Sequence, residues 1–318
     1  MRNAITFDVE DYFHVSAFAD HIDKRDWGRY PSRVEANTQR SIELLEAAGY
    51  KGTFFVLGWV AEQFPHLVRR IADAGHEIAC HSSEHRRIFQ MTHQEFHEDT
   101  IRAKQAIEDA AGAPVRGYRA PSFSITRDSQ WAYEILIEAG FIYDSSIFPV
   151  RHPDYGMPRL PRTPFLVKTP SGTIIEFPVS TLAVGDRRAP FAGGAYLRLL
   201  PYTYTRWGIY FLNHAEQHSA CIYVHPWELD PEQPRLNVGL TSMLRHYTGL
   251  GTLEKKLRLL LRDFEFATLE SLLPPIKDLD FVLHTERFRS AMVPIDAFSQ
   301  NLETTKSTSS GTQGQSLA

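Results

Sequence analysis

Short apolar runs alternate with amphipathic stretches from residue 4 to about residue 226. Seven runs rich in β-branched and aromatic residues are typical of strands, namely AITFDV, KGTFFVLG, HEIACH, VRGYRA, FIYDSS, TIIEFPV and ACIYVHP. The stretches between the first five runs have the 3.6-residue periodicity of helices, and each ends in glycine, as helices often do. This alternation predicts βα units around a parallel sheet, and seven such strands predict a barrel or an open sheet.

The alternation of strand-like runs and helical stretches becomes less regular after about residue 147. Residues 148–170 are rich in proline, arginine and short polar residues, which is typical of a long surface excursion. Further helices are predicted over TYTRWGIYFLNHAEQ and LEKKLRLLLRDF, and a short strand followed by a helix over FEFATLESLL. From about residue 301 the chain lacks aromatic residues and is rich in Ser, Thr, Gly and Gln, so we expect disorder there.

The charge and composition of the chain argue against nucleic acid and membranes as partners. The 318 residues carry a formal net charge of −4, so no basic field is available to hold nucleic acid or an anionic membrane. No apolar run approaches the roughly 18 residues needed to cross a bilayer, and the start does not look like a secretory signal. We therefore expect no stable membrane insertion and a cytoplasmic location. Cys80 and Cys221 lie in apolar runs typical of buried thiols.

Polar residues with catalytic chemistry lie at the ends of several predicted strands. They are Asp8, Glu10 and Asp11 at the first strand, His81 and His85 past the third, Arg119 at the fourth, Asp144 at the fifth and His225 at the last. The carboxyl ends of parallel strands lie on one side of the sheet, and active sites are built there. The sequence therefore predicts one site assembled from distant parts of the chain.

The stretch HSSEH, which begins at His81, has two interpretations. It matches the H-x-x-E-H pattern of certain zinc peptidases, which requires a helix, and it also matches a plain H-x-x-x-H pair. The strand HEIAC runs directly into His81 and no apolar stripe follows His85, so the sequence favours a pair on a loop. His93 and His97 have the same spacing but open an amphipathic helix behind a predicted Thr92 cap, which indicates a solvated helix face.

One carboxylate and two imidazoles give a divalent metal three ligands and leave positions open for water and substrate. Such a metal polarises a carbonyl and lowers the pKa of water, so hydrolysis of an amide or ester is the natural reaction. Side chains alternate along a strand, so Asp8 and Glu10 point to the same side, and one can bind metal while the other acts as general base. Non-haem iron oxygenases use the same ligand set, but Arg119 and His225 have no obvious role in that chemistry.

Arg119 and His225 both suit a hydrolysis. A guanidinium at Arg119 would hold a catalytic carboxylate ionised and oriented. His225 follows a strongly apolar strand and is a candidate general acid for the leaving amine. The neighbouring aromatic residues Tyr12, Phe123 and Trp227 are candidates for contact with a sugar ring, with core packing as the alternative for each.

In this order, TFDVED, HSSEH, YRAPS, FIYDSS and YVHPWE resemble the five motifs of the polysaccharide deacetylases with the NodB-homology domain, carbohydrate esterase family four. More narrowly, FDVEDYFHV, GGAYLRLLPYTYTRWGI and HPWELDPEQPR resemble a subgroup associated with exosortase-linked exopolysaccharide systems. The resemblance implies a distorted (β/α) barrel of about seven parallel strands. It also implies a metal-dependent hydrolase, most often a zinc enzyme, that removes N-acetyl groups from hexosamine residues of a polysaccharide or its precursor.

The resemblance assigns roles to the strand-end residues. Asp8 is the implied general base, His81 and His85 are metal ligands, Arg119 orients the base, His225 is the general acid, and Asp144 tunes His225. The loop of Pro121 and Ser122 is expected at the substrate, with the Ser122 backbone N–H stabilising the oxyanion. The metal carboxylate is Glu10, favoured by strand alternation, or Asp11, favoured by residue type. An allantoinase-like hydrolase of another C–N bond and a catalytically silent sugar-binding protein are the alternatives.

The domain expectation follows the same resemblance. Residues 1–285 form the deacetylase barrel, with a family-typical extension from about residue 190, and residues 286–318 form a terminal segment. The expected partners are an N-acetylated glycan and, by resemblance, exopolysaccharide assembly machinery, while the oligomeric state stays open.

Overall fold

The computed structural model describes residues 1–152, 155–236 and 238–285. Its strands are β1 (Arg2–Val9), β2 (Thr53–Val56), β3 (Glu77–Cys80), β4 (Gly117–Tyr118), β5 (Tyr143–Asp144), β6 (Phe165–Thr169), β7 (Gly172–Glu176), β8 (Thr181–Val184), β9 (Arg187–Pro190), β10 (Cys221–Val224), β11 (Glu265–Ala267) and β12 (Val282–His284). Its helices are α1 (Val34–Ala48), α2 (Gly58–Gln63), α3 (Pro65–Asp73), α4 (His93–Ala111), α5 (Ala132–Glu138), α6 (Gly194–Leu199), α7 (Tyr202–His214), α8 (Leu240–Tyr247) and α9 (Leu250–Asp263).

The seven predicted strands form one continuous parallel array in the order β10-β1-β2-β3-β4-β5-β7. β2 and β10 are buried along their whole length, as parallel strands are when both faces are covered. β6 adds to β7 antiparallel, β12 pairs with β6, and β11 pairs with β1. The predicted α/β fold class with a mainly parallel sheet is confirmed.

An irregular segment, residues 177–180, completes the ring of strands between β5 and β10. The backbone N–H of Phe177 donates to the Asp144 carbonyl (2.8 Å), and that of Ser180 donates to the Cys221 carbonyl (3.2 Å). The Cys221 N–H in turn donates to Oγ of Ser180 (2.8 Å). Because this part of the ring lacks regular strand pairing, the barrel is distorted, as predicted.

Local sequence signals set the helix boundaries. α4 begins behind a capping box in which Thr92 Oγ1 accepts from the Glu95 N–H, and α1 ends at Gly49, whose φ of 75° suits glycine. The single helix predicted after β2 is wrong, because Pro65 splits it into α2 and α3. The excursion predicted over residues 148–170 is wrong at its end, where Phe165–Thr169 forms β6.

Other predictions have mixed outcomes. Cys80 and Cys221 are buried free thiols, as expected. No helix among the described residues is long and apolar enough to cross a membrane. The domain boundary at residue 285 stays a prediction, and residues 286–318, with the disorder expected from about residue 301, lie outside the described residues.

Candidate functional site

Five of the eight predicted strand-end residues line one pocket at the carboxyl ends of the barrel strands. Asp8 and Glu10 come from the end of β1, His81 and His85 from the loop after β3, and His225 from the end of β10. HSSEH is not helical, so the peptidase interpretation is excluded. His93 and His97 lie on α4, as expected, and His93 packs against Trp131.

Asp8 and Arg119 form a buried ion pair in the wall of this pocket. Nη1 of Arg119 donates to Oδ1 of Asp8 at 2.7 Å, and neither side chain is more than 3% exposed. The remaining guanidinium donors are held by Thr6 Oγ1, by the carbonyl and hydroxyl of Ser145 and by Sγ of Cys221. Arg119 therefore fixes the orientation of the Asp8 carboxylate.

Glu10, His81 and His85 form the group most suited to a metal ion, since each offers a ligand atom within 4.8 Å of the other two. Oε2 of Glu10 lies 2.9 Å from Nε2 of His85 but makes no hydrogen bond among the described residues. Oε1 accepts from Nε1 of Trp227 at 3.1 Å, which holds the carboxylate in place. A buried carboxylate oxygen without a hydrogen bond, aimed at two imidazoles, fits a cation.

The orientation of His81 supports the same interpretation. Nδ1 of His81 lies 2.8 Å from the Arg119 carbonyl oxygen. A carbonyl only accepts, so Nδ1 carries the proton and Nε2 keeps its lone pair, as in metal-binding histidines. Burial lowers the pKa of His81 to about 4, so the ring is neutral at physiological pH.

His225 is held by Glu228, a residue that the sequence analysis missed. Oε2 of Glu228 accepts from Nδ1 of His225 (3.1 Å) and from its backbone N–H (2.9 Å). Burial alone lowers the pKa of His225, but the Glu10, Glu228 and Asp8 carboxylates outweigh it and raise the pKa to about 9. Nε2 of His225 faces the pocket, 3.5 Å from Oε1 of Glu10 and 4.0 Å from Oδ2 of Asp8.

Arg198 on α6 extends this chain of contacts. Its Nε donates to Oε1 of Glu228 at 2.8 Å, and it is only 4% exposed. Burial raises the pKa of Glu228, but Arg198 and His225 more than offset this and lower it to about 2. Gly194, which also lies on α6, leaves the room for Glu228, because a Cβ there would lie 1.9 Å from Oε2.

Asp144 was expected to tune His225, but its carboxylate accepts hydrogen bonds from Ser146 instead. Oδ1 of Asp144 accepts from Oγ of Ser146 (2.6 Å), and Oγ of Ser146 accepts from the Ala120 N–H (2.8 Å). Asp144 thus braces the backbone beside Arg119, while Glu228 is the carboxylate at His225. The spacing H-x-x-E could have identified Glu228, since it is that of a capping box.

Asp11 faces away from the ligand group, toward the start of α1. Its Oδ2 accepts from Oγ of Ser32 (2.6 Å) and from the backbone N–H groups of Arg33 (2.9 Å) and Val34 (3.1 Å). These contacts satisfy the first N–H groups of the helix. The geometry therefore favours Glu10 over Asp11 as the metal carboxylate.

The predicted substrate contacts divide into two groups. Ser122, Phe123 and Trp227 line the pocket, whereas Tyr12 and Pro121 lie outside the pocket wall that the described residues form. Tyr12 packs in an aromatic cluster, and its hydroxyl donates to the Pro31 carbonyl (3.3 Å). For Tyr12, core packing is therefore the better explanation.

Several site residues have a strained backbone. Ser82, His85, Ser122 and Phe123 have φ between 52° and 70°, the left-handed region that favours glycine. Each such residue costs about 1 kcal/mol or more and persists only where the surroundings hold it. These residues lie on two loops, the loop after β3 that carries His85 and the loop after β4 that follows Arg119.

Two family models match consecutive parts of the chain. Residues 4–137 match the polysaccharide deacetylase family, and residues 145–274 match a domain of unknown function, DUF3473. The first part supplies the Asp8–Arg119 pair and the Glu10, His81 and His85 group. The second part supplies His225, Glu228 and Arg198, so the pocket combines residues from both.

Curated relatives match shorter stretches of the chain. The chain is 32% identical over 98 residues to the peptidoglycan-N-acetylglucosamine deacetylase of Bacillus cereus, covering 30% of this chain and 36% of that protein. It is 28% identical over 134 residues to the peptidoglycan deacetylase of Helicobacter pylori, covering 42% and 41%. The chain thus spans about two fifths of the length of these relatives.

Among solved structures, the allantoinase Puue superposes with a TM-score of 0.55 at 14% sequence identity, over 85% of this chain and 88% of that chain. A likeness at this level of identity shows a shared fold and leaves the chemistry to be argued from the residues of the pocket.

Proposed function

We propose that this chain, whose residues 4–137 carry a polysaccharide deacetylase domain, is a metal-dependent hydrolase that removes N-acetyl groups from hexosamine residues of a polysaccharide or its precursor. The observation that carries the proposal is the convergence in one pocket of the Asp8–Arg119 pair, the Glu10, His81 and His85 group and His225. A base, a set of metal ligands and an acid are the parts that amide hydrolysis needs.

Glu10, His81 and His85 would hold the metal. We propose zinc, because two imidazoles and one carboxylate with open positions form a frequent catalytic zinc set. When bound, the ion polarises the acetyl carbonyl and makes water more acidic.

Asp8 accepts the proton of the water that attacks the acetyl carbon. The buried guanidinium of Arg119 holds Oδ1 of Asp8 and leaves the second oxygen, Oδ2, directed toward the pocket, 4.0 Å from Nε2 of His225. We assign stabilisation of the oxyanion to the backbone N–H of Ser122, a residue that lines the pocket.

His225 donates a proton to the amine nitrogen as the C–N bond breaks, which releases acetate and the free amino sugar. Its raised pKa of about 9 keeps the ring protonated at neutral pH. Glu228 accepts at Nδ1 and leaves Nε2 as the donor that faces the substrate. Trp227 and Phe123 form apolar walls against which a sugar ring can rest.

We extend the proposal to exopolysaccharide biosynthesis, with the assembly machinery as partner, on the strength of the stretches FDVEDYFHV and HPWELDPEQPR. We also propose that residues 1–285 act as one catalytic unit. The contribution of Glu228 and Arg198 to the pocket supports this unit, because both lie in the part that matches DUF3473.

Acetate release from N-acetylglucosamine oligomers tests the proposed function. Metal-stripped wild type is expected to be inactive and to recover when zinc is added, whereas His81→Ala stays inactive at the same zinc concentration. If wild type binds one zinc ion and still releases no acetate from any oligomer, the deacetylase assignment is wrong. In that case hydrolysis of another C–N bond and silent sugar binding become the leading functions.

Glu228→Gln is expected to lower kcat for acetate release about tenfold with little change in KM, because the uncharged amide stabilises the protonated His225 less. Glu232→Gln is the matched control, since Glu232 is an exposed carboxylate in the same loop. Thermal unfolding of both variants checks that the fold is retained. A kcat within twofold of wild type would remove Glu228 from the mechanism.

A further inference from the structure

A second groove opens from the catalytic pocket and is rich in arginine. The two share Arg87, His152 and Tyr155 in their walls. Beyond these residues the groove is lined by Arg127 and Arg159. A substrate seated in the pocket can therefore continue into this groove without leaving the protein surface.

The guanidinium groups of this groove carry charge that no carboxylate among the described residues pairs with, and that of Arg87 also lies 6.0 Å from the centroid of the Phe89 ring. None of Arg87, Arg127 and Arg159 forms an ion pair with a carboxylate in the part of the chain that the structure describes, and the described lining holds a single acidic residue, Asp128. Arg127 and Arg159 are exposed and Arg87 is half-buried. This excess of positive charge stands out in a chain whose net charge is −4.

The pairing of arginine with aromatic surface indicates the kind of ligand. Phe89, 41% exposed, and Tyr155 lie in the same lining as the arginines. Arginine binds carboxylate and phosphate through two parallel hydrogen bonds, and aromatic side chains offer an apolar face with little loss of entropy. An anionic sugar chain presents both kinds of surface.

We propose that this groove binds the flanking units of an anionic glycan, one that bears carboxylate or phosphate groups near the N-acetylhexosamine to be hydrolysed. The inference rests on the proposed function for the identity of the reacting sugar. Arg127 and Arg159 take the charged groups outside the pocket, and Arg87 takes one at the junction.

Binding of three hexasaccharides, measured by isothermal titration calorimetry, tests this proposal. One probe alternates N-acetylglucosamine with glucuronic acid, one is an N-acetylglucosamine hexamer with a terminal phosphate, and one is the neutral hexamer. Wild type is expected to bind at least one charged probe about tenfold more tightly than the neutral one, and added salt should reduce this preference. The charged probe that is preferred identifies carboxylate or phosphate as the group recognised.

The variant Arg127→Gln/Arg159→Gln is expected to lose most of that preference. Arg69→Gln/Lys255→Gln is the matched control, because it removes the same charge from exposed residues on α3 and α9. Equal affinity of wild type for all three probes, or an unchanged preference in the groove variant, would overturn the proposal. All titrations use the metal-stripped protein, which does not hydrolyse the probes, so failure of acetate release in the separate activity assay would remove the proposed function and leave this binding result standing.

Discussion

Asp8→Asn is expected to lower kcat for acetate release about a thousandfold, the largest effect of any conservative change in the pocket. The amide keeps the shape of the carboxylate but cannot accept the proton of the attacking water. Zinc binding should be retained, because Asp8 lies outside the Glu10, His81 and His85 group. Steady-state acetate release, compared with zinc content measured by atomic absorption, checks both statements.

The same substitution carries a cost in stability. It leaves the guanidinium of Arg119, which is fully buried, without its anion, and breaking a buried pair of this kind costs about 3 kcal/mol or more. Activity must therefore be measured well below the unfolding temperature of the variant. Asp73→Asn makes the same chemical change on an exposed residue at the end of α3 and should leave kcat unchanged. A folded, zinc-loaded Asp8→Asn variant within tenfold of wild type would exclude Asp8 as the base.

The sequence was sufficient to predict the fold class and to predict that most of the strand-end residues meet at one site, and the reason is physical. Parallel strands place their carboxyl ends together, so Asp8, His81, Arg119 and His225 could be brought to one side of the barrel from strand positions alone. Strand alternation also placed Asp8 and Glu10 on the same side. These inferences needed only local periodicity and the common direction of parallel strands.

Residues beyond the strand ends were harder to place, because their positions depend on contacts between distant segments. Asp11 follows β1 directly, yet it turns to the start of α1. Glu228 carried a local signal in its spacing from His225. Arg198 carried none, since it reaches Glu228 only because α6 packs against the loop after β10 and Gly194 leaves room.

Irregular segments escaped prediction for a related reason. β6 lies in a stretch whose prolines and polar residues mask a short strand, and its pairing with β7 fixes it. The strained backbone at His85 and Ser122 could not be predicted from residue type either, because neither residue favours a positive φ. Strain of this kind is imposed by the fold around a site.

The second large effect is on zinc binding, and it tests whether Glu10 or Asp11 is the metal carboxylate. Glu10→Gln is expected to weaken zinc binding more than about a hundredfold, because a neutral amide replaces a charged ligand beside two imidazoles. Asp11→Asn is the matched variant one residue away and should bind zinc with wild-type affinity. Competition with a chromophoric chelator gives both dissociation constants without any need for turnover.

Asp11→Asn is expected to lower the stability of the fold instead of the affinity for zinc. Its Oδ2 satisfies N–H groups at the start of α1, so loss of the charge should destabilise the fold by about 1 kcal/mol and lower the unfolding temperature. The opposite pattern, with zinc lost in Asp11→Asn and kept in Glu10→Gln, would show that the loop after β1 rearranges when metal binds. A loss of zinc in both variants would indicate that Asp11 supports the ligand group through the backbone that it shares with Glu10.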